Sequence, residues 1–210
     1  MVKQYKLAIF DFDGTLADSF PFFLSVFDEL ARTHGFRTVA ADEVPALRRY
    51  NARQLMRHVG LPAWKLPVVT KDFIGRMRAN RDGVPLFEGV GEVLNQLKDQ
   101  GMTLAVVSSN SYDNVRHVLG PDVARLVRHF ECGVSIFGKR ARLRKVLRES
   151  GMPREAAIYI ADQETDLDAA RAEGVAFGAV AWGYGDFEAL VRCGPEEPFS
   201  TLAEITRICA

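Results

Sequence analysis

Four short apolar runs, three of them broken off by polar residues, constrain the fold of this 210-residue chain more than any other feature. Leu7-Ala8-Ile9-Phe10 ends in Asp11-Phe12-Asp13-Gly14-Thr15, and Leu104-Ala105-Val106-Val107 ends in Ser108-Ser109-Asn110. Ala157-Ile158-Tyr159-Ile160-Ala161 ends in Asp162, and residues 175–180 supply a fourth run. Short apolar stretches without alternation are what a strand buried on both faces requires, and such strands belong to parallel sheets covered by helices. Helical spacing lies between them, in Val90, Val93, Leu94 and Leu97 and again in Leu143, Val146 and Leu147. Alternating strand and helix predicts an α/β chain with a parallel sheet and right-handed crossovers. Ligands in such sheets sit beyond the carboxyl ends of the strands, so Asp11, Ser108 and Asp162 are expected around one crevice.

The alternation fails between residues 17 and 82. The pattern there predicts helices over 22–33, 41–59 and 64–79 and no strand. Gly60-Leu61-Pro62 and Arg81-Asp82-Gly83-Val84-Pro85 carry the turn chemistry that separates these helices and returns the chain to the core. The expected organisation is one core, residues 1–16 and 83–210, with an all-helical insertion at 17–82. The chain is long enough for a core with a smaller appendage.

Charge narrows the partners. Lys and Arg (27) balance Asp and Glu (27), so no overall field draws the chain to nucleic acid or to an anionic membrane, and a small molecule is the expected partner. The basic segment 139–148 has apolar positions at helical spacing, which makes it an ordinary surface helix with a mostly solvated face rather than a nucleic-acid patch. Cys132, Cys193 and Cys209 are scattered, odd in number and without metal-ligand spacing, which fits a reducing compartment. The apolar runs fall far short of the roughly 18 residues of a membrane span, and no tripartite leader opens the chain, so a cytoplasmic location is expected.

A carboxylate leaving a buried strand is costly unless it is hydrogen-bonded or binds a cation. Here Asp11 and Asp13 flank one residue, and Asp162 and Asp166 form a second pair four residues apart, on one face if helical. A hard cation satisfies such a set, and Mg²⁺ takes a few carboxylate and carbonyl oxygens together with water and substrate phosphate.

Asp-x-Asp-Gly-Thr after an N-terminal apolar strand resembles the haloacid dehalogenase superfamily. The resemblance continues in the family's order through Ser108, Lys139 and Asp162-x-x-x-Asp166, across essentially the whole core. The stretch 158–174 is similar to the phosphoglycolate phosphatase-like branch. The resemblance implies a Rossmann-like parallel-sheet core with an inserted helical cap, Mg²⁺ as cofactor, and hydrolysis of a small phosphorylated metabolite, phosphoglycolate first among them. Asp11 would be the nucleophile that takes the phosphoryl group, and Asp13 the general acid and base. Ser108, with the Ser109 amide at the start of a helix, would bind phosphate, as would Lys139, with Arg140 the nearest alternative. Asp11, the Asp13 carbonyl and Asp162 would hold the metal, supported by Asp166.

The chain departs from the family at Ala161, where glycine is usual. Gln163 and Glu164 are read as exposed. Arg48, Arg49, Arg53 and His58 are the cap residues that could meet a second anionic group, and His34, His117 and His129 read as structural or surface residues. The same fold also hosts phosphomutases and phosphonatases, the latter through a cap lysine such as Lys65 or Lys71, and a non-catalytic binding protein is the alternative of a different class.

Overall fold

The computed structural model describes residues 5–47, 50, 52–133 and 138–209. Six strands form one sheet: β1 (Leu7–Phe10), β2 (Thr103–Ser108), β3 (Val127–Cys132), β4 (Ala157–Ala161), β5 (Ala176–Val180) and β6 (Glu197–Phe199). Their order is β3-β2-β1-β4-β5-β6, and every neighbouring pair is parallel. Leu7 pairs with Thr103 on one side and Ala157 on the other. The order therefore reverses between β1 and β4, which opens the crevice where ligands of such sheets bind. The Asp11 N–H donates to the Ile160 carbonyl (2.9 Å), carrying the β1–β4 ladder one residue past β1 and fixing Asp11 at this switch point.

The described helices are α1 (Phe20–His34), α2 (Val44–Leu47), α3 (Ala52–Val59), α4 (Leu66–Ala79), α5 (Val90–Asp99), α6 (Tyr112–Ala124), α7 (Lys139–Ser150), α8 (Glu164–Glu173) and α9 (Phe187–Arg192). Successive residues of a strand point to opposite faces of the sheet. Accordingly Ala8, Phe10, Val106 and Ile160 pack with α5, α6 and the 3₁₀ segment Leu202–Cys209, while Leu7, Ile9, Val107 and Tyr159 pack with α7, α8 and α9. Burial of β1, β4 and β5 on both faces is the physical content of their uninterrupted apolar runs.

Two strands escaped the pattern. β3 interleaves Arg128, His129 and Glu131 with apolar residues because it is an edge strand with a half-buried face. β6 is three residues long and contains Pro198, which a sheet tolerates only at its edge. The helix expected over 41–59 is a 3₁₀ turn (Ala41–Glu43), α2 and α3, and residues 48, 49 and 51 lie outside the described residues. The helix expected over 64–79 opens with a 3₁₀ turn (Ala63–Lys65), after which Pro67 sits in the first turn of α4.

The helices of the insertion have a core of their own in Phe27, Met56, Val59, Leu61 and Val69, whereas Phe22 and Met77 join the apolar cluster on the sheet. The chain leaves and re-enters the sheet side by side: Ala17 bridges Leu86, and the Asp18 N–H donates to the Pro85 carbonyl (2.9 Å). We take 17–82 as the proposed extent of the insertion.

Candidate active site

Three strand ends and the N-terminus of α7 meet at Asp11. Its Oδ2 accepts from Lys139 Nζ at 2.6 Å, and the same ammonium lies 2.6 Å from Asp166 Oδ1. Burial alone would push Lys139 toward neutrality; Asp11 and Asp166 outweigh it and hold the lysine pKa above its ordinary value. An ammonium at a helix N-terminus opposes the helix dipole, and this pair of carboxylates is what compensates. Arg140, next in sequence, turns to Glu173 instead (2.6 Å).

Asp162 and Asp166 are fully buried, and one carboxylate oxygen from each of Asp11, Asp162 and Asp166 lies within 4.8 Å of the others. Burial raises the pKa of both Asp162 and Asp166, with Asp11 adding repulsion, while Lys139 pulls each partly back. Asp162 Oδ1 and Asp166 Oδ2 are buried with no hydrogen-bond partner, although the other oxygen of each is well bonded. Three aspartates whose oxygens lie this close, two of them with a buried oxygen lacking a partner among the described residues, are the kind of donor set a hard divalent cation needs, so these residues fit Mg²⁺.

Asp13 is the second acid of the crevice. Its Oδ1 is buried without a partner among the described residues, and its Oδ2 accepts a long bond from Asn110 Nδ2 (3.4 Å). Burial raises its pKa to about 6, with hydrogen bonds from Ser19 and Asn110 pulling the other way and Asp11 adding to the rise. Two carboxyl groups two residues apart thus occupy unlike settings, one ion-paired and one readily protonated.

At the end of β2, Ser108 is fully buried and its hydroxyl accepts from the Asn110 N–H (2.9 Å), which leaves its own proton to donate. Ser109 lines the cavity beside Asp11, Lys139 and Thr165. Neither serine starts a helix, because α6 begins at Tyr112 with Ser111 as its cap, accepting from the Asn114 N–H.

The loop after β5 completes the crevice. The Tyr184 and Gly185 N–H groups donate to Asp162 Oδ2 (2.8 and 3.3 Å), and Gln163 Nε2 donates to the same oxygen (3.3 Å). A Cβ on Gly185 would stand 1.7 Å from the Asp162 carbonyl oxygen, and one on Gly14, at φ +80°, would stand 2.6 Å from Asp162 Oδ2. Only glycine permits this close wrapping. The Tyr184 hydroxyl accepts from the Phe20 N–H (2.8 Å) and contacts Asp18 Oδ1 (3.0 Å), so one residue ties Asp162 to the start of the insertion.

Asp11, Asp13, Ser108, Ser109, Lys139, Asp162 and Asp166 are therefore brought together. Gln163, expected to be exposed, is half-buried against Asp162, whereas Glu164 is exposed as expected. The charged face of α7 is exposed as expected, with Arg144 pairing to Glu173 (2.7 Å) and Lys145 to Glu131 (2.7 Å). Arg48 and Arg49 lie outside the described residues. Arg53 lines a different pocket, and His58 is held by Glu43 at 3.0 Å. Lys65 donates to the His34 carbonyl (2.7 Å) and Lys71 is exposed, so neither serves as a lysine of this crevice. Sequence reasoning missed Asn110, Tyr159, whose hydroxyl donates to Asp166 Oδ1 (2.8 Å), Tyr50, which lines the cavity beside Asp11 and Lys139, and the Tyr184 loop. Gly183-Tyr184-Gly185 lies three residues beyond the fourth apolar run, and its place near the carboxyl end of a strand was the available sign.

A parallel sheet with a buried acidic cluster at its switch point defines the class: an α/β protein whose crevice carries residues that could hold a cation. The family description haloacid dehalogenase-like hydrolase matches residues 8–180, and the chain belongs to that family. It is 30% identical over 205 residues to the phosphoglycolate phosphatase of Synechococcus elongatus, covering 95% of this chain and 97% of that protein. It is 27% identical over 215 residues to a phosphoglycolate phosphatase of Rhodobacter capsulatus, with 94% of each chain covered. A haloacid dehalogenase-like family protein from Streptococcus pneumoniae shares the fold with a TM-score of 0.79 at 17% identity, over 97% of both chains.

Proposed function

We propose that this phosphatase hydrolyses a small phosphorylated metabolite in two steps through an aspartyl-phosphate on Asp11. The observation that carries the reading is the unlike pair Asp11 and Asp13, one ion-paired to Lys139 and the other protonatable near neutrality, at the carboxyl end of one strand. An Asp11 oxygen attacks phosphorus in line, the bond from phosphorus to the ester oxygen breaks, and Asp13 gives its proton to the departing alkoxide. Asp13, now a carboxylate, takes a proton from water as that water attacks phosphorus, which releases inorganic phosphate and restores Asp11. Lys139, the Ser108 hydroxyl and the Ser109 N–H bind the non-bridging oxygens, whose charge grows in the transition state. Asp11, Asp162 and the Asp13 carbonyl would hold Mg²⁺, with Asp166 in support. The cation would supply charge neutralisation between Asp11 and the phosphoryl group.

Phosphoglycolate, named for the cyanobacterial relative, heads the substrate panel that tests this reading. Purified protein should release phosphate with Mg²⁺ and not without it, and Asp11→Asn should abolish release. A parent that releases nothing from the panel, or an Asp11→Asn variant equal to it, removes the proposal.

A further inference from the structure

A cavity of about 280 Å³ runs from the catalytic crevice into the insertion. Its mouth is polar, formed by Asp13, Ser19, Ser109 and Tyr184, while its wall is apolar, with Phe20, Phe23, Phe27, Phe36 and Phe73 contributing rings from three segments of the insertion. A cavity holds one water once it offers ~10–15 Å³, so this space is some twentyfold larger than a packing flaw and matches an organic group. Apolar voids cost a fold the contacts their walls forgo, and a void of this size opening beside the proposed general acid calls for an occupant.

The occupant's chemistry follows from the lining. Among the described residues that line this cavity there is no lysine, arginine or histidine. Among the described residues, the adjoining cavity beside Asp11 offers one cation, Lys139, and that ammonium is already shared by Asp11 and Asp166. A leaving group with its own carboxylate would enter a cavity whose described lining offers no counter-charge, and burying it there is costly. An uncharged apolar group would exchange water for phenylalanine and aliphatic side chains.

We infer that the insertion of this protein holds an apolar leaving-group pocket opening on Asp13, and that its preferred substrates are phosphomonoesters of hydrophobic, uncharged alcohols. This rests on the phosphoryl-transfer reading above and adds the substrate class to it. Asp13 at the mouth stands where the ester oxygen leaves phosphorus, so the group beyond that oxygen points into the cavity. Thr70, half-buried in its wall, is a position from which a larger side chain fills the space.

The test compares kcat/KM for ethyl, butyl and hexyl phosphate, phenyl phosphate and phosphoglycolate, with Mg²⁺. Each methylene that enters the pocket should raise kcat/KM about fourfold, so hexyl phosphate should exceed ethyl phosphate at least tenfold. Thr70→Trp, and separately Leu55→Trp, should lower the hexyl-to-ethyl ratio at least tenfold, with circular dichroism confirming that each variant is folded. A kcat/KM independent of chain length, or phosphoglycolate surpassing hexyl phosphate, overturns the inference while leaving phosphoryl transfer standing. Titration calorimetry with ethylphosphonate and hexylphosphonate reads the pocket without turnover. Tighter binding of the hexyl compound, by tenfold or more, is expected even if no ester is cleaved, and equal affinities overturn the pocket.

Discussion

Asp13 and Lys139 show how one position in the crevice decides one chemical property. Burial raises the Asp13 pKa from 3.8 to about 6, so the group is protonated below that value and ionised above it. The acid form is the one that protonates an alkoxide, and the first step should therefore slow as pH rises through about 6. Single-turnover measurements with an alkyl phosphate should show this limb, and p-nitrophenyl phosphate, whose leaving group needs no proton, should flatten it. Asp13→Asn should cost roughly 10² to 10⁴ in the alkyl ester's rate, as lost acid–base catalysis does. Lys139→Ala removes the only cation paired with both Asp11 and Asp166 among the described residues and should cost roughly 10² to 10³ in kcat. A variant retaining near-parental kcat would show that Lys139 has a structural role alone.

At the scale of elements, helices and loops hold the acids in place. Glu173, at the end of α8, is buried between Arg140 and Arg144 of α7. Arg144 first, against the opposing effect of burial and with help from Arg140, lowers the Glu173 pKa to about 2. A depressed carboxylate pKa stabilises the fold above the unfolded value near 4.5, and that contribution fades as pH falls from there toward 2. Glu173→Gln should cost about 2 kcal/mol at pH 7 in urea unfolding, with the difference shrinking below pH 4. The loop after β5 is the second device. Gly185→Ala places a methyl against the Asp162 carbonyl and displaces the two N–H donors of Asp162. The Mg²⁺ needed for half-maximal activity should rise roughly tenfold or more, as with other supports of metal ligands. An unchanged Mg²⁺ requirement would separate this loop from the acidic cluster.

For the molecule as a whole, Asp11, Asp162 and Asp166 make the folded state bear a concentrated, desolvated charge. A cation that binds this cluster in the folded chain alone adds about 2.7 kcal/mol at a hundredfold excess over its Kd. For a chain of this length that corresponds to a rise in Tm on the order of 5 to 10 °C, read by scanning calorimetry with and without Mg²⁺. Asp162→Asn should remove most of the rise. If the parent protein melts at the same temperature in both conditions, the cluster is no Mg²⁺ site.

The core strands and the acids at their ends were legible because burial on both faces forces continuous apolar runs, and each run stops where the crevice begins. Asp11, Asp13, Asp162 and Asp166 could be named from spacing, and Lys139 from its place in the family's order. Local sequence says little about what is set by distant partners. β3 and β6 owe their existence to the edges of a sheet, and the helix expected over 41–59 gives way to shorter pieces packed on other helices. The orientation of Lys139 toward two carboxylates, the embrace of Asp162 by Tyr184 and Gly185, and the burial that readies Asp13 for protonation join residues far apart in the chain. By itself the sequence determined a parallel α/β core and the acids at its strand ends, since hydrophobic period and motif are local. The tertiary structure decided which groups neutralise those acids and which side chains line the cavity beside Asp13, since both depend on packing between distant segments.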